Sequence, residues 1–326
     1  MASNNRILVT FILPHKGRDA LLKQTVQSIH ALDFDQKALE IIVVTQNTTL
    51  EIPSRLQNVT PPRIIFRPAH ETVATLRNIG ARHASGAYFA FVDADVQLSS
   101  NWLSIMLETL QAKANRLLVS AVRQSNAETG AIGKMCSALW NSSSADNAVE
   151  LLSGANLFLR RETFDQVGGF PEDFVSSEDY FLTNAVHQHG EVYCSSQACW
   201  VHLGDDKHYR EMFRKEIWRA QGNSYSAKRR TLTLRELPGI MTPIWQFVCL
   251  GMAAFFMGTG KLTASGLALM MCGLPILVHA LRLYRLGRGS FRLIDAISYY
   301  SVYFPARVIG TVRGVFRVKD AETLYQ

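Results

Sequence analysis

The sequence predicts an α/β fold, with a mixed, mostly parallel sheet between helices and long apolar helices after it. Three observations carry this reading. Short apolar, β-branched runs alternate with helix-periodic segments through residues 7–201, as strand and helix units do. One such run, Tyr88–Val92, ends in Asp93-Ala94-Asp95, which puts two carboxylates where open α/β sheets bind ligands. Beyond residue 236, Gly239–Gly258 and Leu262–Leu281 contain no Asp, Glu, Lys or Arg, and each is long enough to span a bilayer.

The elements follow in order. Ile7–Leu13 reads as a buried first strand broken by Pro14. Arg18–Ala31 then carries helix periodicity through Leu21, Leu22, Val26 and Ile29. Leu39–Thr45 is a second strand ending at Gln46-Asn47, and Arg63–Phe66 a short, edge-like third. From Val73 to Ala84 apolar residues recur at three and four, and Gly86 is placed to stop that helix. Tyr88–Val92 is continuously apolar, which suits a parallel strand covered on both faces. Two carboxylates two residues apart at its end can turn toward one hard divalent cation. Asn101–Ala112 is an amphipathic helix and Leu117–Val122 another strand. Gln124–Asp146, rich in Ser, Asn, Ala and Gly, reads as a mobile substrate-facing loop. Glu191–Val201 supplies short terminal strands before His202.

The charge is uneven. Residues 1–206 hold 16 Lys+Arg against 21 Asp+Glu, and residues 207–326 hold 18 against 6. A basic segment with apolar runs inside it points to an anionic membrane surface, with no nucleic acid expected. Asp205–Arg230 has the pattern of an interfacial helix. Lys228, Arg229, Arg230 and Arg235 precede the first uncharged run, Arg282, Arg285, Arg288 and Arg292 follow the second, and only Lys261 lies between. The positive-inside rule then puts both flanks in the cytoplasm. Leu293–Ile309, interrupted by Asp295, Pro305 and Arg307, reads as an in-plane or re-entrant segment. The five cysteines form no C-x-x-C pair, which indicates neither zinc nor a disulfide framework and fits a reducing compartment. Met1–Arg6 is largely polar, so no cleavable signal peptide is expected, and the sequons at Asn47, Asn58 and Asn141 read as accidental.

Arg77-Asn78, Gly80, Gly86, an apolar strand and then Asp93-x-Asp95 form a series that resembles the donor-binding half of family 2 glycosyltransferases, the inverting enzymes of the GT-A fold. The resemblance covers roughly residues 6–203. It includes Pro14 and Arg18, with Gly17 where the family has Asn, and the Gly168-Gly169-Phe170 turn. The resemblance implies a set of roles. Pro14, Arg18, Gln46, Arg77, Asn78, Asp93 and Gly154 would bind the donor, with Gln46-Asn47 standing where the family has an acid. Asp93, Asp95 and His202 would hold Mg²⁺ or Mn²⁺. Asp179, with Glu178 beside it, would be the catalytic base, although Ser176-Ser177-Glu178-Asp179 also reads as a capped helix start.

The expected division is a GT-A domain over 1–204, a basic interfacial region over 205–236, a transmembrane hairpin over 237–285 and a basic amphipathic tail over 286–326. The leading expectation is a multi-pass enzyme of the cytoplasmic (inner) membrane, its catalytic domain facing the cytoplasm. It would move sugar from a nucleotide-diphosphate donor to a saccharide or lipid-linked acceptor. A sugar-phosphate nucleotidyltransferase and an inactive membrane scaffold are the alternatives.

Overall fold

The computed structural model describes residues 7–52, 61–141, 146–174, 176–227 and 237–316. Asn58, the basic flank at Lys228, Arg229, Arg230 and Arg235, and the tail beyond Phe316 lie outside the described residues. The chain divides into two compact units. Among the described residues, the first takes those up to Ala127 and those within Trp140–Gly204, and the second takes Glu128–Leu139 and those from Asp205 to Phe316.

The first unit is built on one sheet. Strands β1 (Val9–His15), β2 (Leu39–Thr45), β3 (Arg63–Phe66) and β4 (Tyr88–Val92) form its parallel half in the order β3-β2-β1-β4. Beyond β4 come β8 (Asn156–Arg160), antiparallel to both neighbours, then β6 (Arg116–Gln124), β9 (Glu191–His202) and β5 (Val96–Leu98). Strand β7 (Asn147–Ala148) also pairs with β9. All seven residues of β1 are buried, Thr10 and His15 included, with side-chain partners in Glu40 and Thr45 respectively. Because side chains alternate across a strand, Val9, Phe11 and Leu13 join one core, with α1 (Asp19–His30) and α3 (Trp102–Gln111). Ile12, Ile42 and Val44 join the other, with α2 (Val73–His83), α5 (Arg161–Gln166) and α6 (Glu178–His187). Each such fully buried side chain contributes about 1.5–3 kcal/mol.

Several expectations change on inspection. Helix α2 already ends at Ala84 in extended backbone. Gly86 serves a different need, since a Cβ there would lie 2.6 Å from the Thr10 nitrogen of β1. The supposed loop at Gln124–Asp146 contains α4 (Ala131–Asn141). Its apolar residues Ile132, Met135, Cys136 and Leu139 fall at helical spacing, and Ile132 and Met135 are buried. The terminal strands are one strand, β9, twelve residues long.

The second unit is helical, with α7 (Tyr209–Ala227), α8 (Leu237–Gly258), α9 (Leu262–Leu286) and α10 (Leu293–Phe316). Helices α7 and α10 cross closely at Gly310, where a Cβ would come within 2.3 Å of the Ile217 carbonyl oxygen. Helix α10 runs unbroken through Pro305, over the stretch read as an in-plane or re-entrant segment. Asp295, read as an interruption, caps the helix start by accepting from the Arg292 nitrogen at 2.9 Å. Helices α8 and α9 form a hairpin, pinned where Ser265 Oγ donates to the Ala253 carbonyl at 2.9 Å. Their large apolar residues face outward: Phe247 is 69% exposed, Leu262 72% and Met270 72%. Helix α9 is long and apolar enough to cross a membrane, and the apolar part of α8 is the shorter Ile244–Gly258.

Candidate active site

The carboxyl ends of β1, β2 and β4 lie at one edge of the sheet, with the residues leading into β8 beside them, since Val92 pairs with Asn156. There Arg77 of α2 is 2% exposed. One of its terminal nitrogens donates to Glu178 Oε1 at 2.7 Å, and the other to Asp93 Oδ1 at 2.8 Å and to the Gly154 carbonyl at 3.0 Å. The guanidinium lies 5.1 Å from the Phe170 ring centre. Burial works against its charge, and the Asp93 and Glu178 carboxylates outweigh burial, so its pKa is held above the ordinary value. Gly154 makes room for this group, since a Cβ there would stand 2.7 Å from the Arg77 nitrogen. Arg77, expected among the donor-binding residues, is held by protein partners and ties three segments together.

Glu178 and Asp179 differ sharply. Glu178 is buried, and desolvation, joined by the neighbouring charge of Asp179, pushes its pKa up to about 7 against the pull of Arg77. Asp179 is half-buried. Its Oδ2 accepts from the Gly154 nitrogen at 3.0 Å and its Oδ1 from the Tyr180 nitrogen at 2.8 Å. A carboxylate has about four lone-pair sites, so capacity to accept a proton remains. Of the two acids, Asp179 is the one solvent reaches.

A second cluster adjoins the first. Asp95 is 8% exposed. Its Oδ2 pairs with Arg18 at 3.1 Å and its Oδ1 lies 3.5 Å from His202 Nε2. Pairing of Val96 with His202 at the start of β5 (Val96–Leu98) brings that imidazole beside Asp95. Gly204 seals the arrangement, since a Cβ there would come 2.2 Å from Asp95 Oδ2 and 2.5 Å from an Arg18 nitrogen. Sequence reasoning passed over Gly204, although a glycine two residues past a candidate ligand was visible. Asp93 and Asp95 thus turn to different partners, and no group of three or more metal-ligating side chains converges among the described residues. Asp95 and His202 nevertheless fit Mg²⁺ or Mn²⁺. Such ions are held by one or two carboxylates and take further ligands from water and substrate phosphates, and imidazole is a common metal ligand.

The remaining candidates sit around this edge. Pro14 is the penultimate residue of β1. Gln46 follows β2, and its amide donates to the carbonyls of Pro68 and Glu71 at 3.0 and 2.7 Å. Asn47 holds the turn that carries Arg18, accepting from the Gly17 nitrogen at 2.7 Å and donating to Asp19 at 2.7 Å. Asn78 is turned to the Gly-Gly-Phe turn. It donates to the Phe170 carbonyl at 2.8 Å and accepts from the Phe170 nitrogen at 3.0 Å. The structure therefore joins Arg77, Asp93, Gly154, Glu178 and Asp179 in one cluster, and Arg18, Asp95 and His202 in another. It leaves Asn78 outside both.

Comparison with known proteins bears on the family and the fold. The model of the family described as glycosyl transferase family 2 matches residues 10–168. Glycosyltransferase AglE of Haloferax volcanii is 22% identical over 181 residues, which cover 54% of this chain and 60% of that protein. An uncharacterized glycosyltransferase of Rickettsia bellii is 29% identical over 106 residues, covering 32% of this chain and 15% of that one. The chain thus spans less than two thirds of either relative. Among solved structures, the mannosyltransferase PcManGT from Pyrobaculum calidifontis, in complex with GDP-Man and Mn²⁺, superposes with a TM-score of 0.61. At 16% identity, that match covers 95% of this chain and 88% of that one, and it shares the GT-A fold.

Proposed function

Residues 10–168 belong to glycosyl transferase family 2, and from that premise we propose that the chain transfers one sugar from a nucleotide-diphosphate donor to an acceptor hydroxyl, with inversion. The acceptor is a saccharide or a lipid-linked molecule of polysaccharide, glycolipid or cell-envelope synthesis. The observation that carries the reading is the Arg77 hub, because it fixes the acid at the end of β4 and the acid pair at the start of α6 around one centre.

Asp179 takes the proton of the acceptor hydroxyl as general base, with the Gly154 nitrogen orienting its carboxylate. Glu178 and Arg77 are positioning residues that act through that orientation. Pro14, Arg18 and Gln46 line the side where the nucleotide lies. Asp95 and His202, with Asp93 nearby, would hold a divalent cation, which when bound would supply Lewis-acid stabilisation of the diphosphate leaving group. The second unit anchors the enzyme. The outward apolar faces of α8 and α9 and the basic flanks support a hairpin through a cytoplasmic (inner) membrane, with the catalytic unit in the cytoplasm, where nucleotide sugars are made.

The test is calorimetric titration of the full chain with GDP- and UDP-sugars, with Mn²⁺ or with chelator. GDP-mannose and Mn²⁺ come first because the PcManGT structure holds them. Wild type should bind one donor only with metal present, and Asp95→Ala should lose that binding. Tight binding without metal, unchanged in Asp95→Ala, would overturn the assignment.

A further inference from the structure

Two grooves follow one another along a single stripe of α9. One, of about 420 Å³, is lined by Val278, Leu281, Arg282, Arg285 and Leu286. The other, of about 510 Å³, opens between α8 and α9, where Trp245 and Val248 face Leu274 and Pro275. Leu274, Val278, Leu281 and Arg285 succeed one another at four, three and four residues, so they share one helix face. Trp245 is fixed there, its indole donating to the Met271 carbonyl at 3.1 Å. Arg282 and Arg285 are both exposed, and neither pairs with a carboxylate among the described residues.

We propose that this face binds one anionic phospholipid of the bilayer, its phosphate between Arg282 and Arg285 and an acyl chain along Val278 and Leu274 into the cleft beside Trp245. Charge and shape agree on that occupant. Two exposed cations that pair with no carboxylate among the described residues, at the end of an apolar track, complement an anionic headgroup carried on a chain, whereas free phosphate would leave the track empty. Length agrees too. Eleven residues separate Leu274 from Arg285, about 16 Å of helix at ~1.5 Å per residue, and half of a hydrocarbon core ~30 Å thick is about 15 Å. The proposal rests on the membrane reading above and adds a specific site to it.

The experiment is native mass spectrometry of the delipidated full chain in detergent, offered equal amounts of phosphatidylglycerol and phosphatidylcholine. Two arginines at about 1 kcal/mol each beside anionic lipid, at about 1.4 kcal/mol per tenfold, predict a preference of roughly 25-fold for the anionic lipid. The double variant R282Q/R285Q should bring the two lipids near parity. Arg288→Gln, an exposed arginine outside the groove, should keep the preference. Val278→Trp, which fills the groove with both arginines present, should lower retention. Equal retention of the two lipids by wild type, or a loss in Arg288→Gln as large as in the double variant, would overturn the site. So would unchanged retention in Val278→Trp, or displacement of the phospholipid by a polyprenyl phosphate, which would make the groove an acceptor site. Carbonate extraction separates the two readings. A wild-type chain released from membranes contradicts the anchor itself, whereas a pelleted chain without lipid preference contradicts only this site.

Discussion

Replacing Arg77 with Met keeps most of the side-chain volume and removes the cation that pairs with both Asp93 and Glu178. Glu178, 7% exposed, then keeps a carboxylate with no partner at 2.7 Å. Breaking a buried pair in this way costs about 3–5 kcal/mol. For a unit of this size each kcal/mol moves the melting temperature by about 2–4 °C, so a fall of roughly 6–20 °C is expected. The fall depends on pH. Wild-type Glu178 holds its proton up to about 7, above its ordinary 4.5. Between those values the folded state binds more protons than the unfolded chain, so this group's contribution to stability declines as pH rises from 4.5 to about 7. Without Arg77 the ionised form is costlier still, so the deficit of Arg77→Met should be largest above pH 7 and shrink toward pH 5. Adding Glu178→Gln should recover part of it. The assay is the melting of the purified chain followed by tryptophan fluorescence across that range. A melting point within about 2 °C of wild type at pH 8, or a deficit that Glu178→Gln leaves untouched, would show that Arg77 does not stabilise a charged Glu178.

Two further outcomes are expected. Gly204→Ala places a Cβ 2.2 Å from Asp95 and must displace that carboxylate or Arg18. Misplacement of about 1 Å costs roughly a hundredfold in rate, so kcat/KM should fall by about that factor, and wild-type kinetics would show that Asp95 is not held there during turnover. For topology, a reporter fused after Arg292 should report cytoplasm, and a tag at Thr259-Gly260, in the turn between α8 and α9, should be accessible only from the far side. A tag protected from both sides would make the hairpin a core element.

What could be read from the sequence follows the range of the forces involved. The strand ending in Asp93 and Asp95 was legible because a continuous apolar run and its polar end are local signals. The Arg77 hub was not, since Glu178 lies 101 residues from Arg77 and the Gly154 carbonyl 77 residues away, and only the fold joins them. Nothing in an R-N pair says that the arginine is spent on protein carboxylates while the asparagine clasps a turn at Phe170. Helix α4 was hidden differently, its Ile132, Met135, Cys136 and Leu139 lying within a Ser- and Asn-rich stretch whose composition suggested a loop. Asp295 was misread because a cap and an interruption are the same residue type in the same place. Its bond to the Arg292 nitrogen distinguishes them.

Asp179, presented by the Gly154 nitrogen at the edge of the sheet, is proposed as the base of a sugar transfer. Parallel measurement of donor affinity and turnover for wild type and Asp179→Asn tests it most directly, once the donor is identified by titration. The substitution preserves shape and removes the proton acceptor, so donor affinity should be unchanged and turnover should drop at least about a hundredfold, the low end for a positioned base. Normal turnover in that variant would contradict the claim and leave Asp179 as the first-turn acid of α6.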